Sequence, residues 1–259
     1  MPLLSIITIC KNPGFAITQT IESVLSQSFK NYEYIIVDSN SIDGTSNYLR
    51  RLYSDKRIDK LIIEQDDGIY QAINKGIMIA KGNYVGLIHA GDTYCKDIFK
   101  LLLPNLDDKN DVIYGPGFLK YNNYKKFIPL VYDSHKKLLK KNSILHPSTF
   151  VKKKLYQQLG LYNESFIIAG DFDFFNKAFK RGCKFNQVSF AVSNISFGGI
   201  SSQANYILIS AIECADIVFG INFSIKKYLF ILKQVVLQFD SICKIKILIM
   251  IKFITNIFF

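Results

Sequence analysis

Short apolar, β-branched runs alternate with segments of helical periodicity through the first half of this chain, and that rhythm restricts the fold more than any other feature. Residues 3–10 form a run suited to a strand buried on both faces. Asn12-Pro13-Gly14 breaks it, and Ile17, Ile21, Val24 and Leu25 then recur at helical spacing to about Gln27. Tyr34–Val37 predicts a second buried strand ending in Asp38, and in the polar turn that follows Asp43 is placed to cap the next helix. Leu61–Ile63 predicts a third strand. Ile69, Ile73 and Ile77 mark a helix, Tyr84–Ile88 a fourth strand and Asp111–Tyr114 a fifth. Strands alternating with helices in this way predict an α/β fold: a mostly parallel sheet with helices on both faces.

Three of these strands run out into acids: Asp38, the pair Asp66 and Asp67, and Asp92. In a parallel sheet their carboxyl ends share one rim, and open α/β sheets bind ligands at that rim. One acid there caps a helix or solvates a turn as readily as it binds anything. Three together, with Gly68 and Gly91 beside two of them, point to a site for a polar ligand. The stretch His89-Ala90-Gly91-Asp92 leaves one carboxylate where a strand ends, a poor position for a core residue and a suitable one for a metal ligand.

A chain of 259 residues with 49% hydrophobic content can bury a substantial core, which argues against disorder. Lys and Arg number 32 against 21 Asp and Glu, so an anionic partner is expected: nucleic acid, an anionic membrane face or a phosphorylated substrate. Cys10, Cys95, Cys183, Cys214 and Cys243 are scattered, without a CxxC pair or a Cys/His cluster. That pattern argues against a zinc site or a disulfide framework and fits a reducing cytoplasm. The apolar N-terminus lacks a basic segment and is read as a first strand rather than a signal peptide.

After residue 117 the rhythm changes. Residues 118–145 are rich in Lys and Tyr and read as a hairpin or insertion. His146–Val151 is a short strand-like segment, and Gly170 opens a helix with Phe174 and Ala178 on its buried side. Lys184–Val192 returns as a strand. From Lys226 onward basic residues interleave with large apolar ones, in KKYLFILKQVVLQF and then KIKILIMIKFITNIFF. Neither stretch reaches the roughly 18 uninterrupted apolar residues of a membrane span. Amphipathic helices lying in a membrane interface fit the pattern, as does a helix pair packed on the catalytic domain or on another subunit. Basic residues set beside apolar ones suit lipid phosphate better than nucleic acid. The expected organisation is a domain over 1–204, divided near 117, and a helical, membrane-associating segment over 205–259.

Four segments, in order, resemble family 2 glycosyltransferases of the GT-A fold, of the kind found in bacterial capsule, exopolysaccharide (colanic-acid-type) and O-antigen loci. They are LLSIITICKN, TIESVLSQSFKNYEYIIVDSNSIDGT, DDGIYQAINKGIMIAKGNYVGLIHAGD and HPSTFVKKKLYQQLGLYNESFIIAGDFDFF, within residues 3 to about 182. The resemblance implies a nucleotide-sugar donor, in particular a UDP-sugar, and inversion at the anomeric carbon. Residues 1–117 become the nucleotide-sugar-binding half and 118–204 the acceptor-side half.

Individual roles follow from the same resemblance. Thr8 corresponds to a residue lining the nucleotide pocket, Asp38 to the acid that hydrogen-bonds the nucleobase, and Asp66 to a donor-pocket acid. Asn74 and Lys75 fall in the donor-side helix, with Lys75 either facing a phosphate or solvated. Asp92 matches the last acid of a D-x-D motif that holds Mn²⁺ or Mg²⁺ against the donor diphosphate; Ala90 stands at the first acid. Asp171 matches the general base of an E-D dipeptide, with Gly170 where Glu often stands. Asp173 is a second candidate for the base, and His146 matches a histidine on the acceptor side. The implied acceptor is a glycan or lipid-linked oligosaccharide at the inner face of the cell membrane, with the membrane surface as a partner and no nucleic acid. Ala90 motivates a competing reading, a non-catalytic nucleotide-sugar-binding or scaffold subunit of a membrane glycan-assembly complex. A dinucleotide-binding oxidoreductase is disfavoured because no GxGxxG follows the first strand.

Overall fold

The computed structural model describes residues 1–107, 109–121, 126–130, 134–196, 199, 203–222 and 224–235. The chain divides into two compact units, Met1–Phe197 and Gly198–Phe259. The first half of unit 1 runs β1 (Leu4–Cys10), α1 (Ala16–Leu25), β2 (Tyr32–Asp38), α2 (Thr45–Ser54), β3 (Lys60–Ile63), α3 (Ile69–Ile79) and β4 (Tyr84–Leu87). It continues through β5 (Thr93–Tyr94), α4 (Ile98–Leu102), β6 (Val112–Tyr114), the hairpin strands β7 (Gly117–Tyr121) and β8 (Lys126–Leu130), and β9 (Thr149–Lys152). Then come α5 (Lys153–Leu159), α6 (Gly170–Lys180), β10 (Phe185–Gln187) and β11 (Ser193–Ser196).

Among the described residues the strands form two sheets, ordered β10-β6-β9-β4-β1-β2-β3 and β5-β11-β7-β8. In the larger sheet β1 pairs in parallel with both β2 and β4, and β2 with β3. Only β9 there runs against its neighbours, β4 and β6. The sheet is therefore mostly parallel, as the alternation of strands and helices predicts. Alternation along β1 assigns its two faces. Leu4 and Ile6 join Ile17, Ile21 and Val24 of α1 and Leu49 and Leu52 of α2 in one core, while Ile7 lies against Gly76 of α3 on the other side. Helices thus cover both faces, and burial of such a strand's side chains contributes roughly 1.5–3 kcal/mol apiece.

Some pairings differ from what periodicity suggests. The segment after His146 is a strand, but it inserts antiparallel between β4 and β6. A two-residue strand, β5, and a five-residue helix, α4, lie where no element is expected from the sequence, because so few residues carry no readable period. The insertion of β9 matters for the site. Being antiparallel, it brings its own N-terminal end, preceded by a 3-10 turn at His146–Ser148, to the rim where β1 and β4 end.

Unit 2 holds α7 (Ala204–Phe219) and a second helix over residues 225–235. Lys227 pairs with Asp216 and donates to the carbonyls of Gly220 and Ile221, capping the end of α7. Among the described residues no helix is long and apolar enough to cross a membrane. The stretch KIKILIMIKFITNIFF lies outside the described residues.

Candidate active site

The switch point of the larger sheet lies between β1 and β4, because connections leave β1 toward β2 on one side while β4 returns on the other. Beyond β4 the chain keeps pairing with β1: Ile88 N–H donates to Ile7 O at 3.0 Å and Ala90 N–H to Ile9 O at 3.3 Å. It then folds over at Gly91, whose φ of +102° lies in the region that favours glycine. Two distant side chains clamp that turn. Thr20 of α1 accepts the Gly91 N–H at 2.9 Å and donates to Asp92 O at 2.7 Å. Ser196 of β11 donates its hydroxyl to Gly91 O, and its backbone N–H goes to Asp92 Oδ1 at 2.8 Å.

Asp92 is thereby held almost wholly buried, and burial pushes its pKa up to about 7, against the lowering effect of the Ser196 N–H. Its Oδ2 has no hydrogen-bond partner among the described residues. A hard, anionic oxygen fits Mn²⁺ or Mg²⁺, and Mg²⁺ commonly takes only one or two carboxylates, filling its other positions with phosphate oxygen and water. Asp92 could hold such an ion jointly with a diphosphate. Among the described residues no three His, Cys, Asp or Glu side chains cluster to hold one alone.

The donor-side residues named from the sequence fare unevenly. Thr8 is fully buried and hydrogen-bonds Tyr34 OH at 2.9 Å, and strand alternation turns it to the same face as Leu4 and Ile6. Asp38 has no exposed surface either. Its carboxylate accepts from the Ser41 N–H and hydroxyl, the Ser46 hydroxyl and the Cys10 thiol, so it organises the turn after β2. Burial, then the neighbouring Asp38, keeps that thiol protonated. Asp43 takes the N–H of Thr45 at 3.0 Å and, across the rim, that of Gly14 at 2.7 Å.

Of the acids expected on the donor side, Asp66 keeps a buried carboxylate oxygen without a partner among the described residues. Lys75 Nζ lies 2.9 Å from its Oδ1, close enough for an ion pair but not aligned as a directed hydrogen bond, and the buried Oδ2 has no partner among the described residues. The same ammonium meets Glu64 at 2.9 Å, and these two acids raise the pKa of Lys75. Lys75 is therefore ion-paired with two acids while part of its side chain stays exposed. Asn74, expected beside the donor, is fully engaged elsewhere. Its amide donates to Tyr162 O at 2.8 Å and Glu164 Oε1 at 2.9 Å and accepts the Tyr162 N–H at 3.0 Å, joining α3 to the segment before α6.

Of the residues expected on the acceptor side, Asp171 stands in the first turn of α6, half-buried, with its Oδ1 accepting the Phe172 N–H at 2.7 Å. Asp173 is buried and salt-bridged to Lys177 at 2.6 Å, an occupied partner rather than an open base. His146 is buried, bonded to Tyr162 OH at 3.1 Å and packed against Phe175 and His89. Burial holds His146 down at about 4 and His89 at about 3, so both rings are neutral near pH 7 and offer no positive charge to a phosphate. The Nδ1 of His89 is buried without a partner among the described residues.

A chain of contacts links these parts. His89, at the end of β4, meets His146 with ring centroids 5.7 Å apart; His146 bonds Tyr162; Tyr162 lies 5.8 Å from Tyr70; and Tyr70 OH accepts the Asp171 N–H at 3.3 Å. The acid beyond β4 and the acid opening α6 thus belong to one rim. Thr20, Ser196, Tyr70 and Tyr162 escape sequence reading. The hydrogen bonds that tie them to Gly91, Asp171 and Asn74 span between 71 and 105 positions, and no local period marks such contacts.

The profile of glycosyl transferase family 2 matches residues 5–182, more than half of the sequence. The chain belongs to glycosyl transferase family 2. This glycosyltransferase is 26% identical over 208 residues to the PGL/p-HBAD biosynthesis glycosyltransferase of Mycobacterium bovis, covering 78% of this chain and 80% of that one. It is 39% identical over 97 residues to the putative teichuronic acid biosynthesis glycosyltransferase TuaG of Bacillus subtilis, which covers 37% of this chain and 38% of that one. The structure of S. aureus TarS 1-349 in complex with UDP-GlcNAc superposes with a TM-score of 0.66 at 18% identity, over 89% of this chain and 70% of that one. The mannosyltransferase PcManGT from Pyrobaculum calidifontis in complex with GDP-Man and Mn²⁺ gives 0.67 at 17% identity, over 90% and 68%. At such identities the two structures speak to the fold, which is GT-A.

Proposed function

We propose that this glycosyltransferase inverts the anomeric carbon as it moves a sugar from a UDP-sugar to a hydroxyl of a lipid-linked glycan in surface polysaccharide synthesis. The observation that carries the reading is the gathering of Asp66, Asp92 and Asp171 on one rim, each held by contacts from a different part of the chain. The relatives named for PGL/p-HBAD and teichuronic acid biosynthesis support a surface-glycan product. A buried carboxylate oxygen without a partner costs about 1–3 kcal/mol, a cost that a ligand N–H relieves. Lys75 already holds the other oxygen of Asp66, which leaves one acceptor, suited to the single N–H of uracil rather than to the paired donors of guanine.

The residues then divide the work. Asp92 offers its open oxygen to Mn²⁺ or Mg²⁺, which when bound would offset the charge growing on the leaving diphosphate. Asp171, at the mouth of α6, takes the proton from the acceptor hydroxyl as it attacks from the opposite face. His89 and His146, both neutral, shape the floor between them. An acceptor carried on lipid is supported by the helix over 225–235, where Ile225, Tyr228, Leu229 and Leu232 form an exposed stripe at helical spacing beside Lys226 and Lys233.

Donor turnover with Mn²⁺ or Mg²⁺ tests the reading. Asp171→Asn is expected to lower kcat by about 10²–10⁴ while leaving UDP binding intact. Full activity in that variant would remove the base assignment. A wild-type chain that binds UDP-sugar by calorimetry but releases no UDP with any glycan acceptor would support the scaffold reading instead.

A further inference from the structure

Tyr70 sits in the first turn of α3, almost fully buried, four residues after Asp66. Its hydroxyl donates to Ile168 O at 2.6 Å and accepts the Asp171 N–H at 3.3 Å, so one side chain fixes the backbone on both sides of the entrance to α6. Its ring also fills the space that a side chain at 170 would need. A Cβ at Gly170 would lie 2.8 Å from the ring's Cε2 and Cζ, closer than packed carbons approach. One turn further along the same face of α3, Asn74 grips the Tyr162 backbone from both sides. The ring of Tyr162 lies 5.8 Å from that of Tyr70. A single helix therefore carries the donor-side acid just before its start and holds the acceptor-side segment at two points.

We propose that Tyr70 is the positioning residue for Asp171, and that Gly170 is glycine because Tyr70 occupies its side-chain space. The inference rests on the reading of Asp171 as the base. Tyr70 touches neither sugar nor nucleotide in this scheme. It sets where the carboxylate stands when the acceptor hydroxyl arrives, and displacement of a catalytic group by about 1 Å can cost a hundredfold in rate.

The first variant is Tyr70→Phe, which keeps the ring and removes the hydroxyl. The expected result is a fall in kcat of about tenfold to a hundredfold, with the donor KM within about twofold and the thermal midpoint lowered by only a few degrees, as Ile168 O and the Asp171 N–H lose the hydroxyl. The acid limb of the pH–rate profile should also move, because the base has lost its anchor. A second pair of measurements does not depend on the hydroxyl. Gly170→Ala should cost activity when Tyr70 is present and much less in a Tyr70→Ala background, where the ring no longer contests the space. Wild-type kcat in Tyr70→Phe would overturn the proposal. So would a donor KM raised as far as kcat is lowered, or a Gly170→Ala penalty of the same size in both backgrounds. Asp171→Asn separates the two failures: if it is fully active the base reading falls, and if it is dead while Tyr70→Phe is wild-type, only the positioning role falls.

Discussion

Asp92 carries a carboxylate whose burial lifts its pKa from the ordinary 3.8 to about 7. Between those values the folded protein holds a proton that the unfolded chain has released, so stability falls as pH rises from about 4 to about 7 and stays reduced above. Three pH units correspond to at most about 4 kcal/mol. Asp92→Asn, which keeps an oxygen for the Ser196 N–H, should therefore raise the thermal midpoint at pH 8 in the absence of divalent cation and have little effect at pH 4. Mn²⁺ should raise the midpoint of the wild type at pH 8 and leave that of the variant unmoved. A variant less stable than wild type at pH 8 would mean that burying the ionised carboxylate is not what costs stability there, and one equally responsive to Mn²⁺ would mean that Asp92 is not the cation's ligand. That Asp92 is an acid at a strand end can be read from YVGLIHAGD alone. That its carboxylate is buried cannot, because the burying residues, Thr20 and Ser196, come from far along the chain.

At the scale of elements, α3 changes its meaning most. Its apolar period at Ile69, Ile73 and Ile77 marks the helix from sequence, and the structure begins and ends it at Ile69 and Ile79. The polar face is harder to read. Asn74, expected as a donor contact, clips Tyr162, and Lys75, expected to be solvated or phosphate-facing, pairs with Asp66 and Glu64. Asn74→Ala removes three hydrogen bonds and leaves the backbone of Tyr162 unsatisfied, so it should cost about 2–4 kcal/mol in chemical denaturation. Amide exchange over residues 160–168 should quicken more than exchange in β1 or β2. If exchange rises uniformly, or stability is unchanged, the clip is not what holds that segment. Strand β9 makes the parallel point for sheets. Thr149–Lys152 reads as a strand from its residues, but its insertion between β4 and β6 depends on pairing with partners roughly 35 to 68 positions away, which no local period encodes.

At the scale of the whole molecule, unit 1 carries the sheet and the candidate site, and unit 2 carries helices with an exposed apolar stripe. A chain ended near residue 204 should fold, bind UDP-sugar in solution with Mn²⁺ and fail to co-sediment with anionic vesicles, whereas the full chain should co-sediment and lose binding as salt rises. Equal vesicle binding by both would move the membrane contact into unit 1. The sequence by itself determined the fold class, because strand and helix periods are local and a parallel sheet is the arrangement that satisfies their alternation. It also determined that acids follow β2, β3 and β4, and hence that they share a rim. Only the tertiary structure decided which of those acids stay open. Asp38 is closed by its own turn and by Cys10, Asp173 by Lys177, and Asp66 and Asp92 each keep an oxygen without a hydrogen-bond partner among the described residues. The physical reason is that a side chain's type is written at its position, while its desolvation and its hydrogen-bond partners are supplied by residues that meet it only after folding.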